Sequence, residues 1–250
     1  MKERKKTFVG SSLVGMLLLL PPFSHAAQSV HPPLTDLQIR TRIEQALVDE
    51  GIVGVEASVV AGEIRLTGEV PNAWQRDEAT HLAELVRDVR SVVSTVTVVP
   101  SQTDQELERT ARQSVNGSVF YSIFDAVDLT TKDGVVTLTG WVTLPYKSRN
   151  IAEAVARVPG VQGVENRIRV LPDSSADDQI RREIATRLYR HPAFWDMGIQ
   201  VNPPIHILVN EGRVTLEGQV PTQVDRREAE RIARSVLGTA SVEDQLVVTS

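Results

Sequence analysis

Gly62-Glu-Ile64-Arg-Leu66-Thr-Gly68-Glu-Val70 recurs as Gly134-Val-Val136-Thr-Leu138-Thr-Gly140-Trp-Val142 and as Gly212-Arg-Val214-Thr-Leu216-Glu-Gly218-Gln-Val220, at spacings of 72 and 78 residues. In each copy the apolar residues alternate with polar ones, the pattern of a strand with one buried face. The first glycine follows Ala61, Asp133 or Glu211 and reads as the tight turn of a hairpin. The second glycine falls on the apolar side, where it marks a bulge or a place where backbone is closely approached. Three copies define a repeat protein.

The sequence around each copy repeats too. Thr35-Asp-Leu-Gln38 and Thr103-Asp-Gln-Glu106 have the form of a capping box, and the third repeat starts near Asp177-Asp178. Behind them run apolar stripes at helical spacing: Ile39, Ile43, Leu47; Leu107, Ala111, Val115; Ile180, Ile184, Leu188. A first strand precedes each glycine turn, near 55–59, 126–131 and 205–209. A second helix follows, expected over about 76–90 in the first repeat, with Ala79, Leu82, Ala83 and Val86 on one face. Ile151, Ala154, Val155 and Val158, then Ala229, Ile232, Ala233 and Val236, are its counterparts. Valine-rich segments close each unit. His191 to Pro204 is an insertion in the third. The fold class is therefore α+β: three tandem αββαβ units over 34–100, 101–172 and 173–250, each a small mixed three-stranded sheet on two helices. A unit of this size supplies roughly 3–5 kcal/mol of net stability alone, so packing between units is expected.

The N-terminal stretch is expected to lie outside this fold. Basic residues at Met1-Lys-Glu-Arg-Lys-Lys6, an apolar run from Phe8 to Phe23 and Ser24-His25-Ala26 have the form of a secretory signal peptide over 1–26, with 27–33 as linker. The alternative is an uncleaved anchor, but the apolar run is short and ends at Pro21-Pro22. No second such run follows, so no integral membrane segment is expected after cleavage. The chain contains no cysteine, which removes disulfides and a lipidated cysteine and suits a bacterial periplasm. The net charge is −5. Such an acidic chain does not fit nonspecific nucleic-acid binding.

The αββαβ unit with Gly-x-Val-Thr-Leu-x-Gly, closed by Val158-Pro159-Gly160-Val161-Gln-Gly-Val164-Glu-Asn166, resembles the BON domain. That module is shared by an osmotically induced bacterial periplasmic protein and nodulation proteins. The first unit lacks the Pro-Gly pair and the third has Gly238-Thr239. The resemblance implies a non-enzymatic, transport-associated or osmotic-stress-type protein of the cell envelope, binding phospholipid surfaces peripherally. The alternative is a periplasmic protein-binding adaptor or chaperone-like module. The expected partners are an anionic phospholipid surface or envelope proteins.

No catalytic, metal or cofactor pattern stands out. His25, His31, His81, His191 and His206 form no His-x-His or i, i+4 pair, and nucleophile-elbow and phosphate-loop patterns are missing. The residues that suit a membrane surface stand at the start of each second helix: Trp74 and Arg76; Tyr146, Lys147 and Arg149; Arg226 and Arg227. A helix N-terminus favours anions, and Trp or Tyr beside a cation suits headgroup depth. The competing reading makes Trp74 and Tyr146 hydrophobic staples. The middle unit carries no net charge and holds Phe120, Tyr121, Phe124, Trp141 and Tyr146. It is the unit expected to meet a membrane, unless the rings at 120–124 fill its core.

Overall fold

The structure, a computed structural model, describes residues 32–200 and 202–249. The chain divides into Met1–Pro33 and Leu34–Ser250, and all the elements lie in the second part. The expected signal peptide lies outside the described residues. Unit 1 comprises α1 (Asp36–Asp49), β1 (Val55–Val60), β2 (Glu63–Val70), α2 (Ala73–Glu84), β3 (Ser91–Ser94) and β4 (Thr97–Val98). Unit 2 comprises α3 (Asp104–Asn116), β5 (Ala126–Lys132), β6 (Val135–Val142), α4 (Pro145–Ala156), β7 (Gly163–Asn166) and β8 (Arg169–Val170). Unit 3 comprises α5 (Ser175–Arg190), the single turn α6 (Trp195–Gly198), β9 (Ile205–Asn210), β10 (Arg213–Val220), α7 (Gln223–Arg234) and β11 (Ser241–Val248).

In each sheet the repeated strand is central. It pairs antiparallel with the strand before it and parallel with the closing strand, which the intervening helix permits. The closing strand is broken in units 1 and 2, where Leu66 and Leu138 carbonyls accept from the irregular residues Thr95 and Arg167. In unit 3 it runs unbroken. Each unit has its own core, built from the helix stripes and the inward strand positions read above.

The two glycines of the repeated strand do different work. Ala61-Gly62, Asp133-Gly134 and Glu211-Gly212 all have positive φ, the two-residue turn whose twist matches the strands. A carboxylate holds each turn. Asp36 accepts from the Ala61 and Gly62 amides at 2.7 and 2.9 Å, Asp104 from Asp133 and Gly134 at 2.9 Å each, and Asp177 from Glu211 and Gly212 at 2.9 Å each. The second glycines are places of close approach. A Cβ on Gly68, Gly140 or Gly218 would lie 1.9, 2.1 or 1.9 Å from the carbonyl oxygen of Gly54, Ala126 or Pro204.

Two boundaries differ from the sequence reading. α2 covers Ala73–Glu84 rather than about 76–90, because Asn72 caps it by accepting from the Gln75 amide at 3.0 Å. It stops where Asp88 turns the chain with φ +68 into β3. Gly160 and Gly238 make the same left-handed turn in units 2 and 3, so unit 1 replaces that glycine by aspartate. In unit 3, Ser174 caps α5, which begins at Ser175, two residues before the Asp177 start.

Units 1 and 2 are joined through the Val158-Pro159-Gly160-Val161 turn. Its Gly160 amide donates to Pro71 O at 2.8 Å and its Val161 carbonyl accepts from the Ala73 amide at 2.9 Å. Asn72 Nδ2 reaches Arg157 O at 3.1 Å, and Gln162 Nε2 reaches Val98 O at 3.1 Å. Ala73, a residue of unit 1, is buried in the core of unit 2. Units 2 and 3 meet differently, through the sheet faces that carry no helices. Ala126, Trp141 and Leu171 of unit 2 pack with Leu208 of unit 3, and the Ile207 amide donates to Ile123 O at 2.7 Å.

Candidate functional site

The units differ most in the connection from first helix to first strand: 50–54 in unit 1, 117–125 in unit 2 and 191–204 in unit 3. In unit 3 the extra chain folds inward, where α6 and the fully buried Phe194 extend the core. In unit 2 it folds over the start of α4 and is fastened by one buried carboxylate. Asp125 accepts from the Ser122 amide at 2.9 Å and hydroxyl at 2.6 Å, the Thr143 amide at 2.8 Å and hydroxyl at 3.0 Å, and Lys147 Nζ at 2.6 Å. Five donors satisfy a charge that would otherwise be costly to bury.

Fastened in this way, the loop faces two directions. Phe124 packs on the core of unit 3, Ile123 bonds it, and Tyr121 packs on the core of its own unit while meeting His206; the Val127 amide donates to the Tyr121 hydroxyl at 3.3 Å, and burial pushes that phenol above its ordinary range. Val119 and Phe120 turn to solvent. Val119 is 90% exposed, and Phe120 meets Tyr146 edge-on with ring centres 6.0 Å apart. Leu144 (44% exposed) and Tyr146 (43%) stand two residues apart at the start of α4, so the Phe120–Tyr146 ring pair is the apolar contact of this surface, with Val119 and Leu144 exposed next to it in the chain. Such an exposed pair is more than the scattered apolar residues of an ordinary surface. Arg149, exposed and three residues on from Tyr146, stands on the same helix face and has no ion pair among the described residues.

The structure scatters the other expected site residues. Trp74 is half-buried at the joint of units 1 and 2, with the Arg157 guanidinium 3.5 Å over its ring. Arg76 donates to Gln162 O at 2.6 Å and pairs with Asp77. Lys147 is a correction to the surface expected of it: it is buried on Asp125 and faces no solvent partner. Arg226 is held by Asp244 at 2.8 Å on its own sheet, and Arg227 is exposed on unit 3. Only Tyr146 and Arg149 therefore share a surface. The residues the sequence reading left out of the site are Val119 and Leu144. Their signal was the length of the loop and the proline that marks α4's first position, which puts at the cap a leucine, whose side chain can accept no hydrogen bond.

A second concavity, about 530 Å³, lies between units 2 and 3 and is lined by Arg112, Tyr121, Asp128, His206 and Glu217 among others. Burial, then the neighbouring Asp128 charge, raises the Glu217 carboxyl above its ordinary value. Burial lowers the His206 imidazole, whose Nδ1 lies 3.3 Å from Ser122 O. Among the described residues no group of three or more His, Cys, Asp or Glu is placed to hold a metal ion, and no helix is long and apolar enough to cross a membrane.

The BON domain profile matches the chain three times, over residues 35–100, 103–172 and 176–250. The chain belongs to the BON domain family. BON domains are associated with proteins of the cell envelope and are generally non-enzymatic. No curated protein matches the chain. Two solved structures, both of CdsD, a structural protein of the type III secretion system of Chlamydia trachomatis, are similar at 14% identity and a TM-score of 0.25. One, of its C-terminal domain, covers 87% of this chain and 100% of that one. The other covers 84% and 91%. A likeness this remote bears on neither arrangement nor activity of this BON protein.

Proposed function

We propose that this protein is an exported, non-enzymatic component of the cell envelope that touches phospholipid surfaces peripherally, through unit 2. The observation that carries the reading is the exposed Phe120–Tyr146 ring pair of that unit, flanked in the chain by exposed Val119 and Leu144, with Arg149 one helical turn on from Tyr146. An apolar edge with an aromatic ring and a guanidinium suits the boundary between headgroups and acyl chains. Because Lys147, Arg76 and Arg226 are engaged within the fold, the contact is mainly apolar, and anionic lipid adds to it through Arg149. The export signal and an osmotic-stress role belong to this reading as well.

Co-sedimentation of residues 27–250 with zwitterionic and anionic vesicles, at low and high salt, tests it. The expected result is binding to both, somewhat stronger on anionic vesicles, with a modest loss at high salt. Phe120→Ser with Tyr146→Ser is expected to weaken binding at least about tenfold, since burial of a large apolar side chain contributes about 1.5–3 kcal/mol. Lys147→Ala is unsuitable as a test, because it strands the buried Asp125 charge at about 3–5 kcal/mol. Failure to bind either vesicle would overturn the lipid reading and favour a protein-binding adaptor.

A further inference from the structure

One cross-strand pair recurs at the same place in all three hairpins, on the sheet face that carries no helix: Glu56 with Thr67, Asp128 with Thr139, and His206 with Glu217. The repeated strand therefore reads Leu66-Thr67-Gly68 and Leu138-Thr139-Gly140, but Leu216-Glu217-Gly218 in unit 3. Threonine fits this position in two units. Unit 3 puts a carboxylate there, although its face is the one that unit 2 covers. Glu217 is half-buried and has no hydrogen bond or ion pair among the described residues. Burial, and then the charge of Asp128 on the facing unit, disfavour its ionised form. A carboxylate held at such a cost, where threonine serves elsewhere, points to a use other than folding.

Glu217 and Asp128 both line the cavity of about 530 Å³ between units 2 and 3. The cation in its wall, Arg112, is engaged elsewhere. Its Nη2 donates to Leu129 O at 3.3 Å, and its guanidinium lies 3.5 Å from Glu108 and 3.6 Å from Asp128. It forms no ion pair with Glu217. His206 has its Nδ1 3.3 Å from Ser122 O, and burial favours its neutral form, so it supplies no counter-charge. Val127, Pro203, Pro204 and Val247 give the cavity apolar wall as well. Two carboxylates are too few for a divalent metal ion, which takes six or more oxygens, several of them from the protein, and no group of three ligating side chains stands here among the described residues. Carboxylate beside apolar wall suits a cation that carries carbon.

We infer that this cavity binds a small aliphatic ammonium ion, its charge set between Glu217 and Asp128 and its carbon chain against Val127 and the Pro203-Pro204 wall. Glu217 is the main anchor, because Asp128 is exposed and shares Arg112. Bound there, the ion gives Glu217 the partner that the fold withholds.

Calorimetric titration of residues 27–250 with butylammonium chloride tests this, with magnesium chloride at matched ionic strength and butanol as comparisons. Saturable binding is expected for the ammonium ion and for neither comparison. Glu217→Gln keeps the shape and removes the charge, and should weaken binding at least about tenfold, as expected for a lost bond to a charged partner. Asp128→Asn should weaken it less. Glu217→Thr carries the residue of the other two units. It should lose the binding, yet raise the urea midpoint of the ligand-free protein. A Glu217→Thr chain less stable than the parent would mean that the carboxylate serves the fold, and would overturn the inference. So would the absence of saturable binding, equal binding of magnesium or butanol, or an affinity that Glu217→Gln leaves unchanged. No lipid enters these measurements, so they stand or fall apart from the membrane reading.

Discussion

A single carboxylate per unit fixes the hairpin on which the rest of that unit is built. Ala61, Asp133 and Glu211 carry side chains yet sit in the left-handed region, at a cost of about 1–2 kcal/mol each. Asp36, Asp104 and Asp177 offset that cost by accepting both turn amides. Asp177 is the most enclosed, at 4% exposure. Asp177→Ala is expected to lower stability by about 2–3 kcal/mol, the range for bonds to a charged acceptor. Asp177→Asn, which keeps one acceptor oxygen, should lose about half as much. Urea unfolding midpoints check both. Equal losses would show that charge rather than acceptor geometry matters. This role was hidden in the sequence although the residues were in view. Thr35-Asp36 and Thr103-Asp104 read as capping boxes, and they are. But the turns they hold lie 26, 30 and 35 residues on, a spacing with no period to read.

Strands and helices follow from periodicity, and for them the sequence was nearly sufficient: the apolar stripes of α1, α3 and α5 are all buried, joined in α5 by Asp177 and Arg181. Loops are where reading failed. Whether residues 117–125 fold inward or outward depends on Asp125 finding Lys147 across 22 residues, and a surface reading of Lys147 followed from its neighbours Tyr146 and Arg149. The same loop creates a pH dependence at the joint of units 2 and 3. His206 stacks on Tyr121 with ring centres 5.1 Å apart, and burial lowers its pKa from 6.5. The folded chain thus keeps the imidazole neutral at a pH where the unfolded chain binds a proton, so stability falls as pH drops below about 6.5. Glu217 acts with the opposite sign, because its carboxyl is raised from 4.5 and its contribution grows as pH falls toward that value. Melting temperatures between pH 7.5 and 5.5 should therefore decline, and less steeply in His206→Gln, whose side chain stays neutral. An unchanged slope would assign the decline to other groups.

At the scale of the molecule, three similar units are held by two unlike joints, and that asymmetry is what the repeat pattern alone concealed. Self-similarity predicts one contact used twice, yet Pro145 bars the first kind of joint from recurring at unit 2, and Leu171 at the end of that unit instead packs into a face-to-face contact with unit 3. Unit 1 and unit 2 should consequently unfold as one cooperative body, since Ala73 of one lies in the core of the other. A matched pair of substitutions isolates that coupling. Gly160 and Gly238 have nearly the same φ, +92 and +95, so alanine strains both turns alike. At Gly160, whose amide bonds unit 1, the new Cβ would stand 2.7 Å from the rotatable Ser101 Oγ of its own unit; at Gly238 it meets only the Ile180 side chain at 3.1 Å. Strain alone makes the two variants equally unstable, whereas shifting the turn at Gly160 also weakens the bond of its amide to Pro71 O, a further cost of about 0.5–1.5 kcal/mol. Gly160→Ala should be the less stable by that margin. Its unfolding should also separate into two transitions, as the shared core of units 1 and 2 comes apart, while Gly238→Ala keeps those units together. Equal stabilities and a single transition in both variants would mean that the turn of unit 2 merely rests against unit 1.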